Sequence, residues 1–459
     1  MKGFVPTPVP VVDLMVEKLF RGRPPIPTSR LLDPGCGRGA FVDGIVRWCQ
    51  RHRRPLPKII GIESDPEHFS FAAERFAGLD QVRIRHADFL QPAEERFDYV
   101  IGNPPYVPIT GLSPTERESY RRVYRTARGR FDLYLLFFEQ AMDLLGPEGR
   151  LVFITPEKFL YVDTARPLRE MMRRFCVDEL HFLDEQTFGD LVTYPLISIL
   201  EASKRSRPTR IVHRDGREST VTLNQAASWL PPIMGVDEQP SVLTLGDICT
   251  RVSCGVATGA DSVFTVRDAH LDPQLRPFAY PTIAGRQLAA GKPLRTLHSL
   301  LLPYAVDGKL LPEHKLGRLG RHLFDPARRE RLLARTCVAR KPWYAYHETP
   351  PMDHLLRPKL LCKDITANPF FVPDHEGQVI PRHSVYYVVP GDPHSIDSLA
   401  QYLNSPTAQQ WLRNHCQRAA NGFLRVQSHV LKRLPIPEWL GAARRSPPIR
   451  KVVVERQPA

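Results

Sequence analysis

Asn103-Pro104-Pro105-Tyr106 follows FDYVIG (97–102), the most apolar strand-like run of the first part of the chain. A carboxamide, two prolines and a phenol in that order suit chemistry on a planar amine. Proline has no backbone N–H and a fixed φ, so two in succession stiffen the loop and leave its carbonyls as outward-facing acceptors. An exocyclic purine amine is a weak nucleophile because its lone pair is delocalised into the ring. The Asn103 side-chain oxygen and the Pro104 carbonyl can each accept one N–H. That draws the nitrogen toward tetrahedral geometry and returns the lone pair for in-line attack on an electrophilic methyl. No strong base is needed, because the proton becomes acidic once the methyl is attached, so positioning and hydrogen bonding supply the catalysis. Tyr106 offers an aromatic face for stacking the target ring.

A second constellation lies upstream. Asp33-Pro34-Gly35-Cys36-Gly37-Arg38-Gly39-Ala40-Phe41 closes one strand-like run and opens a helix-like one. Glycines there permit a tight turn and close backbone approach to a ligand. A lone glycine-rich turn is common to many nucleotide sites, but the leading Asp33 would repel phosphate and suits an ammonium. Glu63 ends the next strand-like run and can accept both hydroxyls of a ribose. Asp88, in Ala87-Asp88-Phe89-Leu90, follows the third and can accept an adenine amino group, with Phe89 packing on the ring. Any one of these acids reads equally well as a helix cap. Three at successive strand ends, in this order, suit the amino-acid head, ribose and base of S-adenosylmethionine.

These residues need elements to hold them. Apolar spacing predicts helices over 11–20, 40–50, 66–76 and 133–145, and strands over 30–33, 58–63, 82–86, 97–102, 150–155, 177–182 and 195–201. Strand–helix alternation at this spacing argues for an open, mostly parallel α/β sheet with helices on both faces. Ligands in such sheets bind at the carboxyl ends of the strands, which gathers the turns after residues 32, 62, 84 and 101 around one site. The alternation stops near residue 203. The segment 204–210 (KRSRPTR) reads as a linker, 395–435 as helical, and 441–459 as a loosely ordered basic tail.

Charge divides at the same place. Residues 1–203 hold 27 Lys+Arg against 28 Asp+Glu, whereas 204–459 hold 36 against 21. A near-neutral half beside a basic half suggests a catalytic module joined to one that binds a polyanion. The eight cysteines form no C-x-x-C pair or zinc spacing and read as reduced thiols; no metal is expected. The N-terminus does not read as a signal peptide, and no apolar run is long enough to span a membrane. A cytoplasmic protein is expected.

With DPGCGRGAF (33–41), Glu63, ADF (87–89), NPPY (103–106), FDLYLLFFEQA (131–141), RLVFITPEKFL (150–160), Phe188 before VTYPLISIL (192–200) and QYLNS (401–405), the chain resembles the TaqI-like gamma class of N6-adenine DNA methyltransferases of type II restriction-modification systems. The resemblance covers most of the chain. It implies a Rossmann-like S-adenosylmethionine-dependent methyltransferase domain over 1–203, a C-terminal α+β target-recognition domain over 204–440, and the tail beyond. It implies that Thr7, Gly35 and Pro105 contact the cofactor alongside Asp33, Gly37, Gly39, Glu63, Asp88 and Phe89. Asn103, Pro104 and Tyr106 would form the catalytic loop, with Phe188 stacking on the target adenine opposite Tyr106. Double-stranded DNA is the implied partner, acted on by a monomer that flips its target base out of the stack, with a separately encoded nuclease as functional counterpart. The loop 108–130, with Arg117, Arg121, Arg122, Arg125, Arg128 and Arg130, is expected to close over phosphates; it reads alternatively as a solvated charged helix. In the basic half, GVATGADSVF (255–264), AGRQL (284–288) and NGFLRVQSHVLKRLPIP (421–437) resemble target-recognition and closing segments of related enzymes. Two other readings stand at this point: methylation of ribosomal RNA or of a release-factor glutamine, and a non-catalytic DNA-specificity subunit. The long basic extension argues against the first, and the intact Asp33, Asn103 and Tyr106 against the second.

Overall fold

The computed structural model describes residues 5–91, 94–189, 193–203, 207–223, 228–235, 243–419 and 422–441. The chain forms two compact units, Met1–Glu238 and Gln239–Ala459.

In the first unit, α1 (Val9–Phe20) precedes β1 (Arg30–Pro34), α2 (Ala40–Arg51), β2 (Lys58–Glu63), α3 (Pro66–Arg75), β3 (Val82–His86) and β4 (Phe97–Gly102). Then come α4 (Pro114–Val123), α5 (Leu133–Asp143), β5 (Leu145–Pro156), α6 (Arg166–Met172), β6 (Cys176–Phe182), β7 (Pro195–Glu201), β8 (Thr209–Val212) and β9 (Glu218–Val221). The strands form one sheet in the order β3-β2-β1-β4-β5-β7-β6-β8-β9. β1 through β5 pair in parallel, and β7 runs antiparallel between β5 and β6. The chain steps outward from β1 to β3 and returns to β4 on the other side of β1. That reversal opens a crevice at the carboxyl ends of β1 and β4, where Asp33 and Asn103 stand.

Each face of the sheet is covered. α1 and α2 pack on one side through Val12, Met15, Val16, Val42 and Ile45, so closely that a Cβ on Gly44 would meet Val12 Cγ1 at 2.4 Å. On the other side α5 is buried along nearly its whole length, Tyr134 to Met142.

The sheet does not end where the hydrophobic alternation does. β8 pairs with β6 and β9 with β8, so the first unit runs past residue 203. The strand TRIV carries Arg210, whose guanidinium is held by Glu218 and by Glu179 Oε2 at 2.8 Å. Glu179 is fully buried and also holds Lys18 and, at 3.0 Å, Arg21. Burial alone would raise its carboxyl; the nearby His181 ring, hydrogen bonds from Lys18 and Arg21 and the charge of Lys18 outweigh burial and hold it well below the carboxylate range. A depressed carboxylate contributes stability present at neutral pH and lost as pH falls into the acid range. Glu179→Gln is expected to cost about 3–5 kcal/mol, because it strands the buried Lys18 charge; denaturant unfolding at pH 7 checks this, and the deficit should shrink in acid.

The 108–130 segment is not a loop throughout. α4 forms inside it, started by Pro114 at its first turn and a reciprocal Ser113–Glu116 capping box. No α4 residue is buried; Tyr124, Thr126 and Ala127 just after it are, and the Glu139 carboxylate accepts from Arg125 N, Thr126 N and Thr126 Oγ1 at 2.8–3.0 Å.

The second unit is α+β. One antiparallel sheet orders Cys249–Cys254, Val385–Pro390, Lys359–Lys363 and Val372–Asp374; another holds Thr265–Arg267, His298–Leu301, Ala279–Ile283 and Ile380–Pro381. The 395–435 stretch is only partly helical: Ile396–Leu403 and Pro406–His415 are helices, and a short strand pair precedes Ser428–Lys432. Residues 204–206 of the expected linker and 442–459 of the expected tail lie outside the described residues. Among the described residues no helix is long and apolar enough to cross a membrane.

Candidate active site

β1 delivers Asp33 to the crevice, and the glycine turn follows. Gly35, Gly37 and Gly39 all have positive φ, at 71°, 56° and 85°. Gly39 is the most constrained, since a Cβ there would stand 2.2 Å from the Phe76 ring. The turn is hung on β2 by Gly35 N and Cys36 N, which both donate to Ile62 O, at 2.8 and 3.0 Å.

Glu63, at the end of β2, is buried and supports the turn: its oxygens accept from Gly37 N and Asp65 N, each at 2.8 Å. A carboxylate has about four acceptor positions, so capacity for two hydroxyls remains. Asp33 is fully buried and neither of its oxygens has a partner. Burial, and then the negative charge of Glu63, push its carboxyl well above the ordinary range. A buried acid pair without a cation is costly, and a ligand ammonium would relieve it.

Thr7, Gly35, Glu63, Asn103 and Pro105 line one cavity of about 390 Å³, within the size range of small-molecule sites. Asp33 is not among its lining residues; it stands against the strand end that leads to Asn103, where a Cβ on Gly102 would meet Asp33 Oδ1 at 3.5 Å. Gly37 and Gly39 shape the turn rather than the wall. Asp88 and Phe89 are also outside the lining. Asp88 is exposed and its Oδ1 accepts from Leu90 N at 3.0 Å; Phe89 is buried against Phe137, ring centres 5.0 Å apart. Phe137 supplies the aromatic wall instead. Sequence reasoning placed it only on a packing helix. It also missed Val5, Pro6 and His68, which line the same cavity; the two prolines beside Thr7 were the available signal for a fixed segment there.

The cavity can hold S-adenosylmethionine: an orphaned buried acid suits its ammonium, a buried carboxylate with spare acceptor positions its hydroxyls, and the Phe41 and Phe137 rings its apolar parts.

Asn103 is oriented by its neighbours. Its Nδ2 donates to Val5 O at 3.0 Å and to Thr7 Oγ1 at 3.1 Å. A backbone carbonyl only accepts, so the amide must point its nitrogen there and its oxygen away. That oxygen is buried and has no partner. Pro104 is buried, and among the described residues no donor meets its carbonyl. Two acceptors therefore stand free side by side.

Tyr106 donates to Ile154 O at 3.4 Å, and burial pushes its phenol far up. Phe188 is next to it, ring centres 6.5 Å apart, but the planes meet at 87°. The two rings do not face each other in parallel: a base laid flat on Tyr106 would lie nearly perpendicular to Phe188.

In the second unit, GVATGADSVF and AGRQL meet along residues 381–385. Val256 N donates to Pro381 O at 2.8 Å and Gly285 N to Ser384 Oγ at 3.0 Å, while Arg382 donates to Gln287 Oε1 at 3.0 Å.

Residues 59–188 match the Eco57I restriction-modification methylase family, and residues 321–436 match the TaqI-like C-terminal specificity domain. The chain is similar to the type II methyltransferase M.PaeR7I of Pseudomonas aeruginosa, at 26% identity over 99% of this chain and 88% of that one. It is similar to the type II methyltransferase M.XhoI of Xanthomonas vasicola, at 27% identity over 82% and 75%. Its fold resembles that of the type IIL restriction-modification enzyme MmeI solved in complex with DNA, with a TM-score of 0.63 at 13% identity, covering 93% of this chain and 65% of that one. A methylase match in the first unit and a specificity-domain match in the second, with type II methyltransferases similar over most of the chain, support an S-adenosylmethionine-dependent DNA methyltransferase of the restriction-modification kind.

Proposed function

We propose that the enzyme methylates N6 of an adenine in double-stranded DNA, on a base turned out of the helix and held beside Asn103. The observation that carries this reading is the Asn103 amide: both its donors are committed to Val5 and Thr7, and its buried oxygen waits without a partner. An amine with two hydrogens suits that oxygen and the neighbouring free carbonyl of Pro104.

Thr7, Gly35, Glu63 and Pro105 hold the cofactor in this reading, with Asp33 for its ammonium, Gly37 and Gly39 shaping the turn and Phe137 as its aromatic wall, backed by Phe89. Bound there, S-adenosylmethionine supplies a methyl group activated by positive sulfur. The protein's own part is positional. Asn103 Oδ1 and Pro104 O each accept one amine hydrogen and fix the direction of the nitrogen lone pair. Tyr106 takes the base face and Phe188 borders its edge. No strong base is required, because the nitrogen becomes acidic once it carries the methyl group and then releases its proton to water, while Asn103 Oδ1 and Pro104 O only accept hydrogen bonds.

Turning the base out costs roughly a few kcal/mol of stacking, which backbone contacts must offset. Arg117, Arg121 and Arg122 on α4 suit phosphates near the catalytic loop, and the basic second unit, with its TaqI-like match, suits sequence recognition. The same reading makes the chain a monomeric cytoplasmic enzyme whose nuclease counterpart is encoded separately.

Duplex DNA incubated with methyl-labelled cofactor and digested to nucleosides is expected to release label as N6-methyladenine. Label in N4-methylcytosine would retain the amide chemistry and overturn the base. Label in RNA or in a glutamine, with none in DNA, would overturn the substrate.

A further inference from the structure

The geometry points to Arg214 as a positioning residue that braces the turn carrying Phe188. This rests on the reading above that Phe188 borders the target base, and adds how that ring is held. β8 runs parallel to β6, so the turn after β8 emerges at the carboxyl end of the sheet, the edge that bears Asn103. That turn is tightly closed: His213 N donates to Arg217 O at 2.9 Å and Gly216 N to His213 O at 3.0 Å, with Gly216 at a φ of 80°. Arg214 thus springs from a well-defined backbone, beyond the residues 59–188 that match the methylase family.

Its guanidinium meets both feet of the 183–194 turn. At the first foot, Nε donates to Leu183 O at 3.1 Å, and the guanidinium carbon lies 5.3 Å from the centre of the Phe182 ring. At the second, the same carbon lies 5.2 Å from the centre of the Tyr194 ring. A further contact ties the turn to β5. Arg214 Nη2 donates to the carboxylate of Glu157, a buried residue, and Glu157 N donates to Tyr194 O at 2.8 Å. Glu157 follows directly on β5, whose Ile154 O accepts from the Tyr106 hydroxyl. One side chain therefore joins both feet of the turn to the strand end on which Tyr106 is anchored. Phe188 comes from between those feet, its ring centre 6.5 Å from that of Tyr106.

Charge neutralisation alone does not call for this arrangement. A buried carboxylate needs a cation, and a lysine ammonium would serve. A planar guanidinium also directs a hydrogen bond to a carbonyl while lying against aromatic rings, which an ammonium does far less well. The arrangement suits a brace that fixes the spacing of Phe188 and Tyr106 as a base enters, where a displacement of about 1 Å can cost about 100-fold in rate.

Arg214→Lys is the test variant, because it keeps a cation beside Glu157 and removes the planar contacts. Single-turnover methyl transfer is measured with enzyme and S-adenosylmethionine in excess, on plasmid DNA that the parent labels. The rate is expected to fall about tenfold or more, with cofactor affinity by calorimetry unchanged. Phe188→Ala should lower the same rate, and adding Arg214→Lys to it should lower the rate no further, since both changes act through one ring. A purely structural role would not produce that dependence. The uncharged pair Arg214→Gln/Glu157→Gln strands no charge and should reproduce the result, which frees the test from how well a lysine packs there. Multiplicative losses in the double variant, or a parent-like rate in Arg214→Lys beside a slow Phe188→Ala, overturn the brace and leave the placement of Phe188 standing. Parent-like rates in both single variants overturn that placement and the brace together.

Discussion

Asn103→Ala is expected to lower single-turnover methyl transfer by about 100- to 1,000-fold, the size of effect seen when a preorganised hydrogen-bonding group is removed at a reacting centre. The loss should fall on the chemical step, because the missing atom is the acceptor oxygen that has no other partner. The structure adds a second, smaller effect. Asn103 also anchors Val5 and Thr7, which line the cofactor cavity. Each neutral hydrogen bond is worth about 1 kcal/mol, so cofactor affinity should weaken severalfold. Thr7→Val separates the two: it loosens the brace and keeps the acceptor, so its rate should lie far closer to the parent's. Parent-like turnover in Asn103→Ala would remove the proposed mechanism.

Asp33→Asn should weaken S-adenosylmethionine binding by about 10- to 100-fold, since hydrogen bonds to charged groups contribute about 1.5–3 kcal/mol. The change also has a pH signature. Burial and Glu63 raise the Asp33 carboxyl well above the usual range in the ligand-free protein. An ammonium partner needs the carboxylate, so binding should release protons and tighten as pH rises toward the raised value. Calorimetry in buffers of different ionisation enthalpy measures that release, which should vanish in the variant. The sign for stability is opposite. A carboxyl raised on folding destabilises the folded chain progressively as pH climbs from the unfolded value to the folded one. The ligand-free Asn variant is therefore expected to melt higher than the parent at neutral pH. Equal cofactor affinity in the two proteins would show that Asp33 does not meet the ammonium.

Much of the first unit was legible because local and tertiary demands agree. KIIGIE and FDYVIG are apolar enough to be central strands, and they are β2 and β4. The glycine turn was legible because only positive φ lets the chain reverse there. β8 and β9 were missed because their charged residues hide the pattern: Arg210 looks like linker chemistry until Glu179 and Glu218 are placed around it. α4 lacks any apolar stripe; its signal was Ser-Pro-Thr-Glu at 113–116, a capping box rather than a periodicity. The cofactor acids were visible at strand ends, yet the cavity wall was not. Phe137 and His68 reach it from helices whose composition reads as packing or surface, and only the closeness of α3 and α5 to the crevice brings them there. Asp88 shows the converse, being placed by pattern at a strand end but exposed and outside the cavity lining.

The reversed direction of β7 sets the architecture of the rim. Since β6 and β7 are antiparallel neighbours, the link between them turns back at the carboxyl end of β6, the same edge that bears Asn103. A parallel seventh strand would have needed a crossover returning along the sheet, delivering that link to the opposite edge. Phe188 thus reaches the catalytic edge through a hairpin. The lateral offset between the β4 end and that hairpin is a matter of strand pitch, two to three inter-strand steps or about 10–15 Å. Insertions in the 202–208 connection, which leaves β7 at the far edge, would leave that offset untouched, whereas lengthening the 183–194 turn would change how far the aromatic ring can reach.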